Sequence, residues 1–93
     1  VADVFHAAVN TVRQEGIPHY QRSHVGHGIG LDGYDAPNIA PSNDDVFEED
    51  MVICVETPYY EMGLGGLQVE DTMAVTRDGV DSFMLSSTEL RIL

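Results

Sequence analysis

In the first sixteen residues, VADVFHAAVNTVRQEG, the apolar side chains Val1, Val4, Phe5, Ala8, Val9 and Val12 recur at steps of three and four. That is the period of a helix with one buried face. Gly16 and Pro18 end it, and beyond residue 20 the helical period does not return. Short β-branched or apolar runs follow, parted by turn residues: HVGHGIGL, DMVICVETPYY, GGLQVEDTMAVT and VDSFML. A chain with one helical stripe and several strand-length runs buries its apolar side by laying the helix on a sheet. The Asp-Gly step of RDGV, between TMAVT and VDSFML, marks a tight hairpin, so the sheet is expected to be mainly antiparallel. The fold class read from the sequence is therefore α+β. The polar segment DGYDAPNIAPSNDDVFEED, with two prolines, reads as a long connection without regular structure.

Ninety-three residues make one small domain with a modest core. The chain begins at Val1 rather than at a methionine, and it reads as a piece of something longer. Four basic residues stand against sixteen acidic ones, a net charge of -12. Such a balance repels a phosphate backbone and an anionic bilayer, which excludes nucleic acid and membrane surfaces as expected partners. No apolar run approaches membrane-spanning length. The single cysteine, Cys54, rules out an internal disulfide and reads as a small buried hydrophobe in MVICV. A reducing, cytoplasmic setting is expected.

Strand parity locates the chemistry. In MVICVE, alternation puts Val52, Cys54 and Glu56 on one face; in GLQVED it puts Gln68 and Glu70 on one face with Thr72. Each strand thus carries a glutamate among apolar neighbours. A lone carboxylate there must be exposed, protonated, paired or bound to a cation, because burying it alone costs several kcal/mol or more. The four arginines, Arg13, Arg22, Arg77 and Arg91, all lie elsewhere in the chain. A divalent ion is the more economical partner for Glu56 and Glu70, with His27 of the glycine-rich GHGIG adding a nitrogen from a neighbouring strand. One imidazole with carboxylates suits Mn²⁺, Fe²⁺, Co²⁺ or Zn²⁺ and argues against a thiolate site.

Taken in order, GHGIGL with an acidic residue and a proline after it, VETPYY, and GGLQVEDT with VTRDG resemble the C-terminal half of the M24 metallopeptidases, the pita-bread fold. The family includes methionine aminopeptidase, Xaa-Pro aminopeptidase, Xaa-Pro dipeptidase and the non-peptidase creatinase. The resemblance covers roughly residues 15 to 85, and three motifs in order make it specific. It implies two divalent metal ions sharing a bridging water, held by two aspartates, one histidine and two glutamates. By motif position the histidine is His27, the first glutamate Glu56, and the second, bridging glutamate Glu70. The aspartates belong to the N-terminal half of that fold, so the chain, residues 1–93, is expected to be the C-terminal part of the catalytic domain, with the N-terminal half missing. Within GYDAP, Tyr34 stands where the family carries a substrate-contacting histidine, and Asp35 where it carries a glutamate.

The departures steer the reading within the family. Tyr34 donates a hydrogen bond but does not carry a proton near neutral pH as imidazole does. His24 stands three residues before His27, whereas the proline-specific members usually place a histidine four before, where this chain has Ser23. Gln68 holds the place of an arginine that commonly precedes the bridging glutamate by two, and ETPYY replaces EPGxY. These changes point away from methionine aminopeptidase and towards the Xaa-Pro and creatinase-like branches. The implied activity is metal-dependent hydrolysis of an N-terminal peptide bond, with Glu56 shuttling the proton and His24 and Tyr34 as further catalytic or substrate contacts. A creatinase-like small-amide hydrolase and a metal-free binding paralogue are the alternatives. Peptide substrate, the missing half and a second copy, in a homo-oligomer, are the expected partners. His6, His19, Asp35 and the acidic cluster Asp44, Asp45, Glu48, Glu49 and Asp50 are read as surface or turn residues.

Overall fold

The computed structural model of the protein describes residues 1–92. The apolar stripe of the first segment forms α1, Ala2–Gln14, which buries Phe5 and Val9 and half-buries Val4, Ala8 and Val12. Asp3 in its first turn and Arg13 in its last complement the helix dipole. The helix start is tied to the long acidic loop: the Val1 amine donates to the Asp45 carbonyl at 2.8 Å, and the Ala2 N–H to that of Asn43 at 3.1 Å. At the far end Gly16 takes φ +129°, a left-handed turn that a side chain would resist. Among the described residues no helix is long and apolar enough to cross a membrane.

Among the described residues seven strands follow: β1 Gly26–Gly28, β2 Asp35–Asn38, β3 Val52–Glu56, β4 Tyr59–Glu61, β5 Gly65–Leu67, β6 Glu70–Thr76 and β7 Gly79–Ser82. Five make one sheet in the order β2-β1-β3-β6-β7, and β4 pairs with β5 as a separate ribbon. Every pairing is antiparallel. One face of the sheet meets the helix, where Ile53 joins Phe5, Val9, Tyr20, Val25 and Ile39 in the core, with Val55, Met73 and Val75 packed against them. The opposite parity, Val52, Cys54 and Glu56, points to the other side. Tyr20 fastens the helix end to the turn after β3. Its hydroxyl donates to the Pro58 carbonyl at 3.2 Å, and its own carbonyl accepts from Arg13 Nε at 2.9 Å. Burial pushes the Tyr20 phenol above its ordinary range.

The α+β expectation, a helix on a mainly antiparallel sheet, matches the structure, but the strands are divided more finely than the sequence suggests. DMVICVETPYY breaks at Thr57 and Pro58 into β3 and β4, and GGLQVEDTMAVT breaks at Gln68 and Val69 into β5 and β6. The segment read as an unstructured connection contains β2, Asp-Ala-Pro-Asn, on the sheet edge. Those residues have little strand propensity. They pair because β1 admits them closely: a Cβ at Gly28 would collide with the Ala36 carbonyl, and one at Gly26 with the Cys54 carbonyl of β3. The two glycines flanking His27 therefore let its backbone run tight between both neighbours. Gly28→Ala in the full-length protein is expected to cost about 3 kcal/mol in urea unfolding, whereas Gly33→Ala, with open space around it, should stay within about 0.5 kcal/mol. Equal, small effects at both positions would show that the close approach is not obligatory.

Candidate metal centre

The middle of the sheet places the candidate residues by register. His27 on β1 lies opposite Cys54 on β3, and Cys54 lies opposite Thr72 on β6. One row further, Glu56 and Glu70 are direct cross-strand partners. Two like charges so placed repel unless something sits between them. Here the Gln68 side-chain amide does, donating to Glu56 Oε2 at 2.8 Å and to Glu70 Oε2 at 3.1 Å. Among the described residues no arginine takes that position, and the basic side chain beside the pair is His24, whose Nε2 lies 3.8 Å from Glu56 Oε1.

His27 is 7% exposed. Its Nδ1 lies 2.9 Å from the Gly28 carbonyl, which can only accept, so Nδ1 carries the proton and Nε2 presents its lone pair. Nε2 faces Cys54 Sγ at 3.2 Å. Donor atoms of His27, Cys54 and Glu70 all lie within 4.8 Å of one another. A buried imidazole with its second nitrogen fixed by a backbone carbonyl is the arrangement metal-ligating histidines adopt. The donor chemistry thus fits a divalent ion. Burial, reinforced by the Glu70 and Glu56 carboxylates and opposed by a hydrogen bond from the His27 backbone, pushes the Cys54 thiol above its ordinary range.

Tyr34 covers the site. Its ring stacks on His27, with centroids 3.8 Å apart and planes at 26°, and meets His24 edge-on at 6.2 Å. It is 59% exposed, so it stands at the mouth rather than in the core.

All the candidates read from the sequence, His24, His27, Tyr34, Glu56 and Glu70, lie on this side of the sheet. Their grouping is finer than expected. Glu56 is engaged by His24 and Gln68 and lies outside the tight trio of His27, Cys54 and Glu70. Cys54 is buried, as its apolar flanks suggested, and its parity with Glu56 also turns its sulfur towards His27, a contact the sequence reading did not anticipate. That reading also treated Gln68 as a missing charge, whereas the amide joins both carboxylates. The remaining polar residues behave as read: His6 and His19 are exposed, Asp35 Oδ1 accepts the Ala36 N–H at 2.9 Å, and the acidic cluster is solvated.

Comparison with known proteins places this geometry. A Xaa-Pro dipeptidase of Lactobacillus delbrueckii subsp. lactis is 37% identical over 82 residues, which cover 88% of this chain and 22% of that protein. Among solved structures, a dipeptidase from Pyrococcus horikoshii OT3 superposes with a TM-score of 0.88 at 30% identity, covering 99% of this chain and 26% of its own. A Xaa-Pro dipeptidase from Bacillus anthracis gives 0.81 at 37% identity, covering 90% and 24%. The chain spans between a fifth and about a quarter of these relatives' lengths. The α+β architecture is that of the C-terminal part of the pita-bread fold. The profile described as metallopeptidase family M24 matches residues 1–77, and with that the three motifs around His27, Glu56 and Glu70 have their explanation: the chain belongs to metallopeptidase family M24.

Proposed function

We propose that the protein containing this chain hydrolyses an N-terminal peptide bond in Xaa-Pro peptides, as an aminopeptidase or dipeptidase, at a dinuclear site to which this chain contributes His27, Glu56 and Glu70. The observation that carries the reading is the convergence of a buried, tautomer-fixed imidazole with a facing glutamate pair in which, among the described residues, no arginine neutralises either carboxylate. The names of similar proteins, Xaa-Pro dipeptidase among them, support the substrate class. Bound divalent ions, Mn²⁺, Co²⁺, Fe²⁺ or Zn²⁺, supply Lewis-acid polarisation of the scissile carbonyl and activation of water.

The chain's own residues do the rest. Glu56, with one oxygen held by Gln68 and the other 3.8 Å from His24 Nε2, is positioned to move a proton towards the leaving nitrogen. His24 and Tyr34 border the space above it and orient the substrate. The proposed partners are the peptide, the remainder of the fold and a second copy in a homo-oligomer, in the cytoplasm. An Xaa-Pro dipeptide and peptide panel, run on metal-loaded full-length protein with non-proline controls, tests this; failure on every peptide with turnover of a small amide would favour the creatinase-like alternative, which Tyr34 in the histidine place supports.

Tyr34→Phe keeps the ring on His27 and removes only a hydroxyl, so a change of about tenfold in kcat/KM is expected with the melting temperature nearly unmoved. A large loss of stability with normal kinetics would make Tyr34 a packing residue.

A further inference from the structure

The thiol of Cys54 stands where an ion on His27 must arrive. Because His27 Nδ1 is committed to the Gly28 carbonyl, only Nε2 is free to ligate, and it lies 3.2 Å from Cys54 Sγ. Nitrogen and sulfur atoms bound at about 2.0 and 2.3 Å to one ion, at a tetrahedral angle, are about 3.5 Å apart. The existing separation is already close to that of two ligands sharing an ion. A Glu70 oxygen, within 4.8 Å of both, supplies a third donor.

Nor can the sulfur withdraw from the site to water. Cys54 is 0% exposed, on the strand flanked by β1 and β6, and a cysteine side chain turns about a single torsion before its sulfur. An ion taking the Nε2 lone pair replaces the thiol hydrogen that points there, and it meets the sulfur within bonding reach.

We propose that Cys54 is a sulfur ligand of the ion held by His27 and Glu70, so that this site is a mixed nitrogen, oxygen and sulfur one. The inference rests on the metallohydrolase reading above and replaces the sulfur-free donor set expected from the sequence. On loading, the S–H bond breaks, its proton passes to buffer and a sulfur–metal bond forms. A soft donor tilts preference towards Zn²⁺ and Co²⁺ and away from Mn²⁺.

The test uses full-length protein loaded with Co²⁺. The wild type should show a near-ultraviolet thiolate-to-cobalt charge-transfer band that Cys54→Ser lacks while still taking up cobalt. X-ray absorption of the Zn²⁺ form should show sulfur at about 2.3 Å. Zn²⁺ affinity should fall at least about tenfold in Cys54→Ser, and Mn²⁺ affinity less than about threefold. Full cobalt uptake without the band, or a band unchanged in the variant, overturns the sulfur ligand and leaves the metallohydrolase reading standing. No uptake of any divalent ion overturns both. Should the serine variant not fold, the X-ray absorption of the wild type decides alone.

Discussion

Glu70→Gln in the full-length protein is expected to lower kcat/KM by about 10³-fold or more, on the order of 4 kcal/mol of transition-state stabilisation, while the protein stays folded. The two halves of that expectation have separate physical grounds. Glu70 is exposed at the start of β6 and pairs with no basic side chain among the described residues, so neutralising it should shift unfolding free energy by no more than about 0.5 kcal/mol. Its carboxylate faces Glu56 across the sheet and has an oxygen within 4.8 Å of the His27 and Cys54 donor atoms, so the loss is expected to fall on ion binding. Metal analysis after dialysis should show less bound ion in the variant. Wild-type turnover with wild-type metal content would remove Glu70 from the site.

The isolated 93-residue chain should show no measurable turnover of Xaa-Pro peptides with Mn²⁺ or Co²⁺ present, whereas the full-length protein is expected to turn them over. Three of the five ligands that the family resemblance implies are here, and the relatives are four to five times longer than the stretch they share with this chain. The isolated chain also leaves Met62, Leu64, Leu67 and Val69 around the β4–β5 ribbon open to water, with Leu31 beyond β1. Apolar surface of that kind promotes association, so light scattering should report oligomers. Steady turnover by the purified 93-residue chain, free of any longer species, would show that one half of the site suffices.

How far the sequence discloses this molecule depends on where the decisive force is local. The helix is legible because Phe5 and Val9 sit in an unbroken three-and-four period, and β3 because its first four residues, VICV, are apolar and three of them β-branched. β2 is not legible, since Asp35 to Asn38 have the wrong propensities and pair through the room that Gly28 leaves in another segment. The motifs singled out His27, Glu56 and Glu70 as candidates, and register brings both glutamates into one row. The motifs said nothing of the stacking of Tyr34 on His27, a contact between a loop and a strand with no periodic signature. The contact of Cys54 with His27 was hidden by its neighbours: apolar flanks announce a buried thiol and say nothing of the imidazole that faces it.

The row that joins β1, β3 and β6 also bears on how the molecule folds. His27 and Cys54 are 27 residues apart in sequence, and the strands they occupy meet only after long loops have closed. Pairings of that kind form slowly, because chain entropy is lost before contacts compensate for it. An ion gripped from three strands would recognise the assembled sheet and ignore the open chain. Native stability would then rise with the logarithm of free ion, by about 2.7 kcal/mol at a hundredfold excess over the dissociation constant. Divalent ion supply would govern how long the folded protein survives as well as how fast it works.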